Sequence, residues 1–158
     1  MANPSPTARQ TPGGLFLKNG YQSLITFSAD PDISLWEKSV TPPGCDGGDA
    51  IDTTTMHNVN YRVFAPRTLI TMTESSFTAA YDPAVLTQIF SQLNREQTIT
   101  VRFADGSTWA FYGFLRVFQP NELTEGEQPT AQVTIQPTNF DPTNRVEAGP
   151  ALASVSGT

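Results

Sequence analysis

Polar and apolar residues alternate with a period of two over most of this chain, and a helical period appears once. Tyr21 to Ser28, YQSLITFS, is rich in β-formers. Ile33 to Val40 sets Ile33, Leu35, Glu37 and Ser39 on one face against Ser34, Trp36, Lys38 and Val40 on the other. Between them Ala29-Asp30-Pro31-Asp32 has the proline and aspartates of a tight turn, so the two runs are expected to form a hairpin. Val59 to Phe64 alternates again. After Pro66 the pattern resumes from Arg67 to Tyr81 as a long Thr/Ser-rich strand. That strand reads as too polar on both faces for a central core position and as suited to a wet surface.

At Asp82 the period shifts to about 3.6. Asp82 is a good N-cap, Pro83 fits the first helical position, and Tyr81 can staple onto Leu86. A helix is predicted over about 82–94, with Val85, Leu86, Ile89, Phe90 and Leu93 as one apolar stripe. Gln97 to Phe103 then points Ile99, Val101 and Phe103 inward. Asp105-Gly106 makes the turn, and Ser107 to Phe118 returns. The return strand is apolar on both faces: Trp109, Phe111, Leu115 and Val117 on one, Ala110, Tyr112, Phe114 and Phe118 on the other. One face is expected to meet the core and the other the helix or another subunit. Gly113 marks a bulge or a close backbone approach. After the acidic turn region Gln119 to Thr130, Ala131 to Pro137 is a last strand, with Ala131, Val133 and Ile135 on one face.

Neither period runs through Thr41 to Asn58, TPPGCDGGDAIDTTTMHN. A structureless connection of this length inside a compact domain is uncommon unless it binds something or is disordered, so it reads as a working loop held at both ends by sheet. Residues 1–20, with three prolines and a Gly-Gly pair, read as a flexible arm, 21–137 as the β domain, and 138–158 as a patternless tail ordered only by a partner.

Composition narrows the function. The 158 residues fit one domain with a real core. Nine basic against fifteen acidic side chains, a net charge of −6, argue against a nucleic-acid binder, which needs Lys/Arg clusters. The single cysteine forms no internal disulfide. No apolar run reaches the length of a membrane span and the amino terminus lacks the apolar core of a signal peptide, so a cytoplasmic site of synthesis and no membrane partner are expected.

Chemistry-bearing motifs are sparse. His57 has no second histidine or cysteine for a metal site, and Cys45 beside Asp46 has no cation to lower its pKa. GCDGGD lacks the Lys-Ser/Thr of a P-loop. Asp46, Asp49 and Asp52 fit no EF-hand and read as Asp-Gly turns rather than calcium ligands. Nothing selects a glycosidase pair among the fifteen acids. An enzyme is therefore not expected, and no cofactor or metal. A wet long strand, a two-faced aromatic strand, long ends and an acidic loop make sense together in one piece of an assembly.

Several segments resemble, in order, the tail tube (major tail) proteins of long-tailed siphophages. They are Val40 to Gly44 through Gly47-Gly48-Asp49, Ile51 to Met56, Tyr81-Asp82-Pro83, Ile99 to Phe103 with Asp105-Gly106-Ser107, Gly113-Phe114, and Gly126 to Ala131 leading to Pro137-Thr138-Asn139. The resemblance covers about 21–142. It implies a mainly β, sandwich- or barrel-like tail tube fold with one flanking α-helix and a long extended loop at 41–58. It further implies hexameric rings stacked into the hollow tube of a non-contractile tail, located in the virion, assembled in the host cytoplasm and used as a conduit for DNA ejection. Implied partners are further copies of the chain, a tape-measure protein in the lumen, tail tip and terminator proteins at the ends, and double-stranded DNA in passage. Some relatives carry an additional immunoglobulin-like domain; none is expected after Thr158.

On that resemblance the loop residues Pro43, Gly44, Asp46, Asp49, Asp52, Thr54 and Met56 would stack ring on ring, and Trp109, Phe111 and Phe114 would meet a neighbouring subunit. Six copies at −6 give a ring near about −36, and Glu37 and Glu74 are the candidate lumen-facing acids that keep phosphates from sticking. The alternative reading is a β-sandwich module binding carbohydrate or a host surface through Trp36 and Trp109.

Overall fold

The computed structural model describes residues 23–31, 33, 36–81 and 83–153. The expected arm at 1–20 and the N-cap Asp82 lie outside the described residues. The described chain is mainly β. Its strands are β1 (Leu24–Phe27), β2 (Glu37–Thr41), β3 (Cys45–Asp46), β4 (Ile51–Asp52), β5 (Phe64–Ala65), β6 (Thr71–Met72) and β7 (Ser75–Ala80). After the helix α1 (Pro83–Phe90) come β8 (Gln97–Arg102), β9 (Thr108–Pro120), β10 (Thr130–Pro137), β11 (Phe140–Asp141), β12 (Val146–Glu147) and β13 (Ala151–Ala153). The main sheet is antiparallel in the order β1-β8-β9-β10-β7-β2, and β13 pairs with β9. It curls into a half-barrel.

The concave side is the core. Ile25, Phe27, Phe77, Ala79, Ile99, Val101, Phe111, Leu115, Val133 and Ile135 project into it from alternate positions, and Ile89 of α1 and Met72 join them. The two-residue period thus decides the inner face of β1, β7, β8 and β10. Strand β7 is a correction. Although Thr/Ser-rich, it lies between β10 and β2 and buries Ser75, Phe77 and Ala79. Serine is tolerated there because the Ser75 hydroxyl donates to the Thr41 carbonyl at 2.8 Å.

The β8–β9 hairpin forms as its alternation predicts. Gly106 takes φ 87° in the turn and its N–H donates to the Phe103 carbonyl. Strand β9 changes phase before its end. The β9–β10 register slips between Thr134 and Ile135, which face Val117 and Leu115, so Arg116 bulges out. Beyond it the faces exchange, Phe118 packing on the core while Val117 is exposed. Gly113 marks the close approach: an added Cβ would lie 2.7 Å from the Gln136 carbonyl oxygen.

The first two strands do not form a hairpin. β1 pairs with β8, β2 with β7, and the two meet only across the open seam of the half-barrel, where the Ile25 N–H donates to Glu37 Oε1 at 3.0 Å. Helix α1 is shorter than its apolar period. Ser91 Oγ donates to the Gln88 carbonyl at 2.6 Å, the Ser91 and Gln92 N–H groups bond three residues back, and Asn94 adopts φ 57°. Phe90 is 61 % exposed, so the stripe is narrower than predicted. A buried amide pair anchors the helix end, Gln97 Nε2 donating to Gln92 Oε1 at 3.1 Å. Gln97 Oε1 in turn accepts from the Ala29 N–H at 2.9 Å.

The segment expected to be a patternless tail continues on the chain's own scaffold. β11 and β12 pair around an Asp141 turn, and β13 extends β9 beyond the end of β10. Asp141 is buried at 7 % exposure and accepts from the N–H groups of Thr143 and Asn144 and from the Asn144 side-chain amide. Local side-chain bonds, invisible to a periodicity reading, order this piece.

Candidate functional site

The stretch from Thr41 to Asn58 is the outgoing leg of a two-legged arm. Its base is the β2–β7 pair, where Thr41 faces Ser76. Cys45 and Asp46 then face Met72 and Thr71, and Ile51 and Asp52 face Ala65 and Phe64. The outgoing leg, 41–58, is eighteen residues and the return, 59–74, is sixteen, a reach of roughly 50–60 Å if fully extended. Residues expected to be one strand at 59–64 and one at 67–81 are instead the tip, the return leg and β7. Pro66 and the break at 73–74 divide them.

Side chains knit the legs. At the base the Gly44 N–H donates to Thr73 Oγ1 at 2.8 Å, and the Thr73 N–H to the Gly44 carbonyl at 2.9 Å. Asp46 Oδ1 accepts from the Gly48 N–H, the Asp-Gly turn expected from sequence. Arg67 reaches across from the return leg, its Nε donating to the Asp49 carbonyl at 2.8 Å. Gly48, at φ 74°, leaves room for it, since an added Cβ would lie 2.9 Å from Arg67 Cδ. Near the tip Asp52 accepts from the Thr54 N–H at 2.9 Å and lies 3.8 Å from Arg62. The Thr54 hydroxyl and then its N–H hold the Asp52 carboxyl below its ordinary pKa. The Thr53 N–H donates to the Val63 carbonyl and the Val63 N–H to Thr54 Oγ1, both at 2.9 Å. Asn58 Oδ1 closes the apex by accepting from the Thr55 N–H at 2.7 Å. The threonine run is therefore a lattice of hydroxyl bonds.

Apart from its root the arm buries almost nothing. Pro43 and Met72 are buried, and every residue from Gly44 to Phe64 is exposed. Met56 at the apex is 102 % exposed, and Ile51, Val59, Tyr61, Val63, Phe64, Leu69 and Ile70 join it. A two-stranded ribbon without a third layer is marginal in water, and such a concentration of exposed apolar side chains on one is unusual for a soluble monomer. All seven predicted loop residues lie on this element. The return-leg residues Tyr61, Phe64, Arg67, Leu69 and Ile70 were missed; their signal was an apolar run broken by Pro66.

The other predicted positions scatter. Phe111, 1 % exposed, belongs to the core and has no surface left for a neighbour, which corrects its assignment to an intersubunit strand. Trp109 packs partly on the same core, and Phe114 is half-buried on the convex face. Glu37 is half-buried and bonded to Ile25; Glu74 is paired with Arg116 at 2.9 Å. Trp36 is 65 % exposed and lines the seam. Among the described residues no three His, Cys, Asp or Glu side chains come together as metal ligands, and no helix is long and apolar enough to cross a membrane.

No protein-family model matches the sequence, and no curated protein matches it. Solved structures do match the fold. A chain of the native gene transfer agent virion superposes with a TM-score of 0.60 at 11 % identity, covering 87 % of this chain and 100 % of that one. A chain of the empty gene transfer agent tail, computed with C6 symmetry, gives 0.57 at 13 %, covering 89 % and 100 %. A chain of the six-fold symmetrised anti-feeding prophage baseplate gives 0.58 at 8 %, covering 85 % and 92 %. This chain therefore has a fold that also occurs in particles of tail and baseplate type.

Proposed function

We propose that this chain is a non-enzymatic structural subunit of a phage-type tail. It forms hexameric rings that stack into a hollow tube, a conduit for DNA in a long non-contractile tail. The observation that carries this reading is the arm: two hydroxyl-bonded legs, apolar at the apex and along the return, with no cover from the other described residues. In the tube the arm of one ring lies on the next, and burial of Met56, Tyr61, Leu69 and Ile70 supplies the contact. Fully burying such side chains stabilises by about 1.5–3 kcal/mol each, before the cost of ordering. Fold likeness to chains of tail and baseplate particles supports the reading. A tape-measure protein in the lumen, tip and terminator proteins at the ends, passage of double-stranded DNA and residence in the virion belong to the same proposal. The lumenal roles of Glu37 and Glu74 belong to the same proposal; Glu37 accepts from the Ile25 N–H, and Glu74 pairs with Arg116 at the surface.

The test is electron microscopy of the purified protein beside a variant in which 44–73 are replaced by a short turn joining β2 to β7. Both legs must go, because removing one strands the other. Tubes from the parent and a folded, non-stacking variant are expected. Long tubes from the variant would refute the arm's role, and uniform monomers of the parent with glycan affinity at Trp36 would favour the binding-module reading.

A further inference from the structure

The arm joins the body through a narrow root. Thr41 faces Ser76 at the last rung of the β2–β7 pair, where Ser75 Oγ also donates to the Thr41 carbonyl, and the next bonds between the legs are those of Gly44 with Thr73. Pro42 and Pro43 fall between, and neither has an N–H to donate across the gap. A two-stranded ribbon bends most easily at such a place. With legs that reach roughly 50 Å, a swing of about 10° at the root carries the apex through about 9 Å.

A third strand reaches this point. Glu74 directly precedes β7, and its Oε1 lies 2.9 Å from Arg116 Nη2. Arg116 is the bulged residue of β9, and β10 runs between β9 and β7. At the usual strand spacing those two backbones stand about 10 Å apart, so the ion pair spans β10. The register slips beside the rung Leu115–Ile135, and Ile135 also faces Ser75, the first residue of β7. The bulge is therefore level with the root. A bulge turns a side chain out of the regular ladder, and this one brings Arg116 to the residue where sheet becomes arm.

We infer that Arg116 and Glu74 are positioning residues for the arm: their ion pair fixes the arm's angle to the half-barrel and so sets where its apolar face meets the next ring. The inference rests on the self-assembly reading above. The two side chains are 48 % and 45 % exposed, so the pair adds little to global stability. Its effect comes from the length of the lever it holds.

The test compares the parent with Glu74→Gln, Arg116→Gln and the swapped pair Glu74→Arg with Arg116→Glu. It reads amide exchange on unassembled protein and the concentration at which tubes begin to form. In both single variants the Gly44 and Thr73 amides at the root are expected to exchange at least about threefold faster, while Ile99 and Val133 in the core exchange as in the parent. Both are expected to need a several-fold higher concentration to form tubes, and the swapped pair to restore the root and the assembly. Net charge separates this from general repulsion. Glu74→Gln takes the chain from −6 to −5 and Arg116→Gln takes it from −6 to −7, so repulsion alone moves their assembly concentrations in opposite directions, whereas a lost ion pair raises both. Opposite shifts overturn the inference, and so do root amides that stay as slow as the parent's in both variants. If every variant forms tubes at the parent's concentration, the positioning role is wrong and the self-assembly reading survives. If the parent forms no tubes, both fall. The unchanged core amides show that each variant has folded.

Discussion

Gly113 sits where β9 and β10 leave no room for a side chain. An alanine there places its Cβ 2.7 Å from the Gln136 carbonyl oxygen, a backbone atom that cannot swing aside as a side chain can. Gly113→Ala is expected to destabilise by about 1–3 kcal/mol, measured by urea unfolding, with the slope unchanged. Asp141 carries the pH dependence at this scale. The Asn144 amide holds its carboxyl below the ordinary carboxylate pKa, and the N–H groups of Asn144 and Thr143 add to this against the opposing effect of burial. A depressed folded pKa means stability present above the unfolded value near about 3.9 and lost as pH falls through the folded one. The β11–β12 turn is therefore expected to begin weakening as pH falls below about 3.9 and to open as pH falls through the lower folded value, seen as faster exchange of the Thr143 and Asn144 amides. In Asp141→Asn that acid step disappears.

At the scale of elements, the arm and the half-barrel obey different rules. The half-barrel is held by burial along alternate positions. The arm is held by hydroxyl, carboxylate and guanidinium bonds between two exposed legs. Replacing Tyr61 and Ile70 together by serine is expected to leave the unfolding midpoint of the monomer within about 0.5 kcal/mol of the parent, since both are exposed. The same change is expected to abolish stacking in electron micrographs. Thr54→Val removes the acceptor of the Val63 N–H and is expected to speed exchange at Val63 without moving the core amides. Protection at Val63 equal to the parent's would show that the tip does not depend on the hydroxyl.

For the whole molecule, charge sets a condition on the proposed assembly. Copies at −6 repel one another, so raising salt from low ionic strength is expected to lower the concentration at which assembly begins, followed by sedimentation. Insensitivity to salt would mean that the apolar contacts alone limit the process.

Much of this architecture was legible in the chain. Alternation placed Ile99, Val101, Val133 and Ile135 inward, Asp105-Gly106 gave the hairpin, and the helix began where its period did. Those features depend on residues close in sequence. Strand partners do not: β1 and β2 are neighbours along the chain yet pair with β8 and β7, because burying Ile25, Phe27 and Val40 in one shared core outweighs a local turn. The phase change at Arg116 was also hidden, since a bulge is a relation between two strands. The candidate site divides in the same way. The sequence by itself determined that residues 41–58 stand apart from the body, through proline, glycine and lost periodicity. Only the tertiary structure decided that 59–74 turns back to pair with them, making one exposed arm, because that pairing is a contact across the tip and no local preference specifies it.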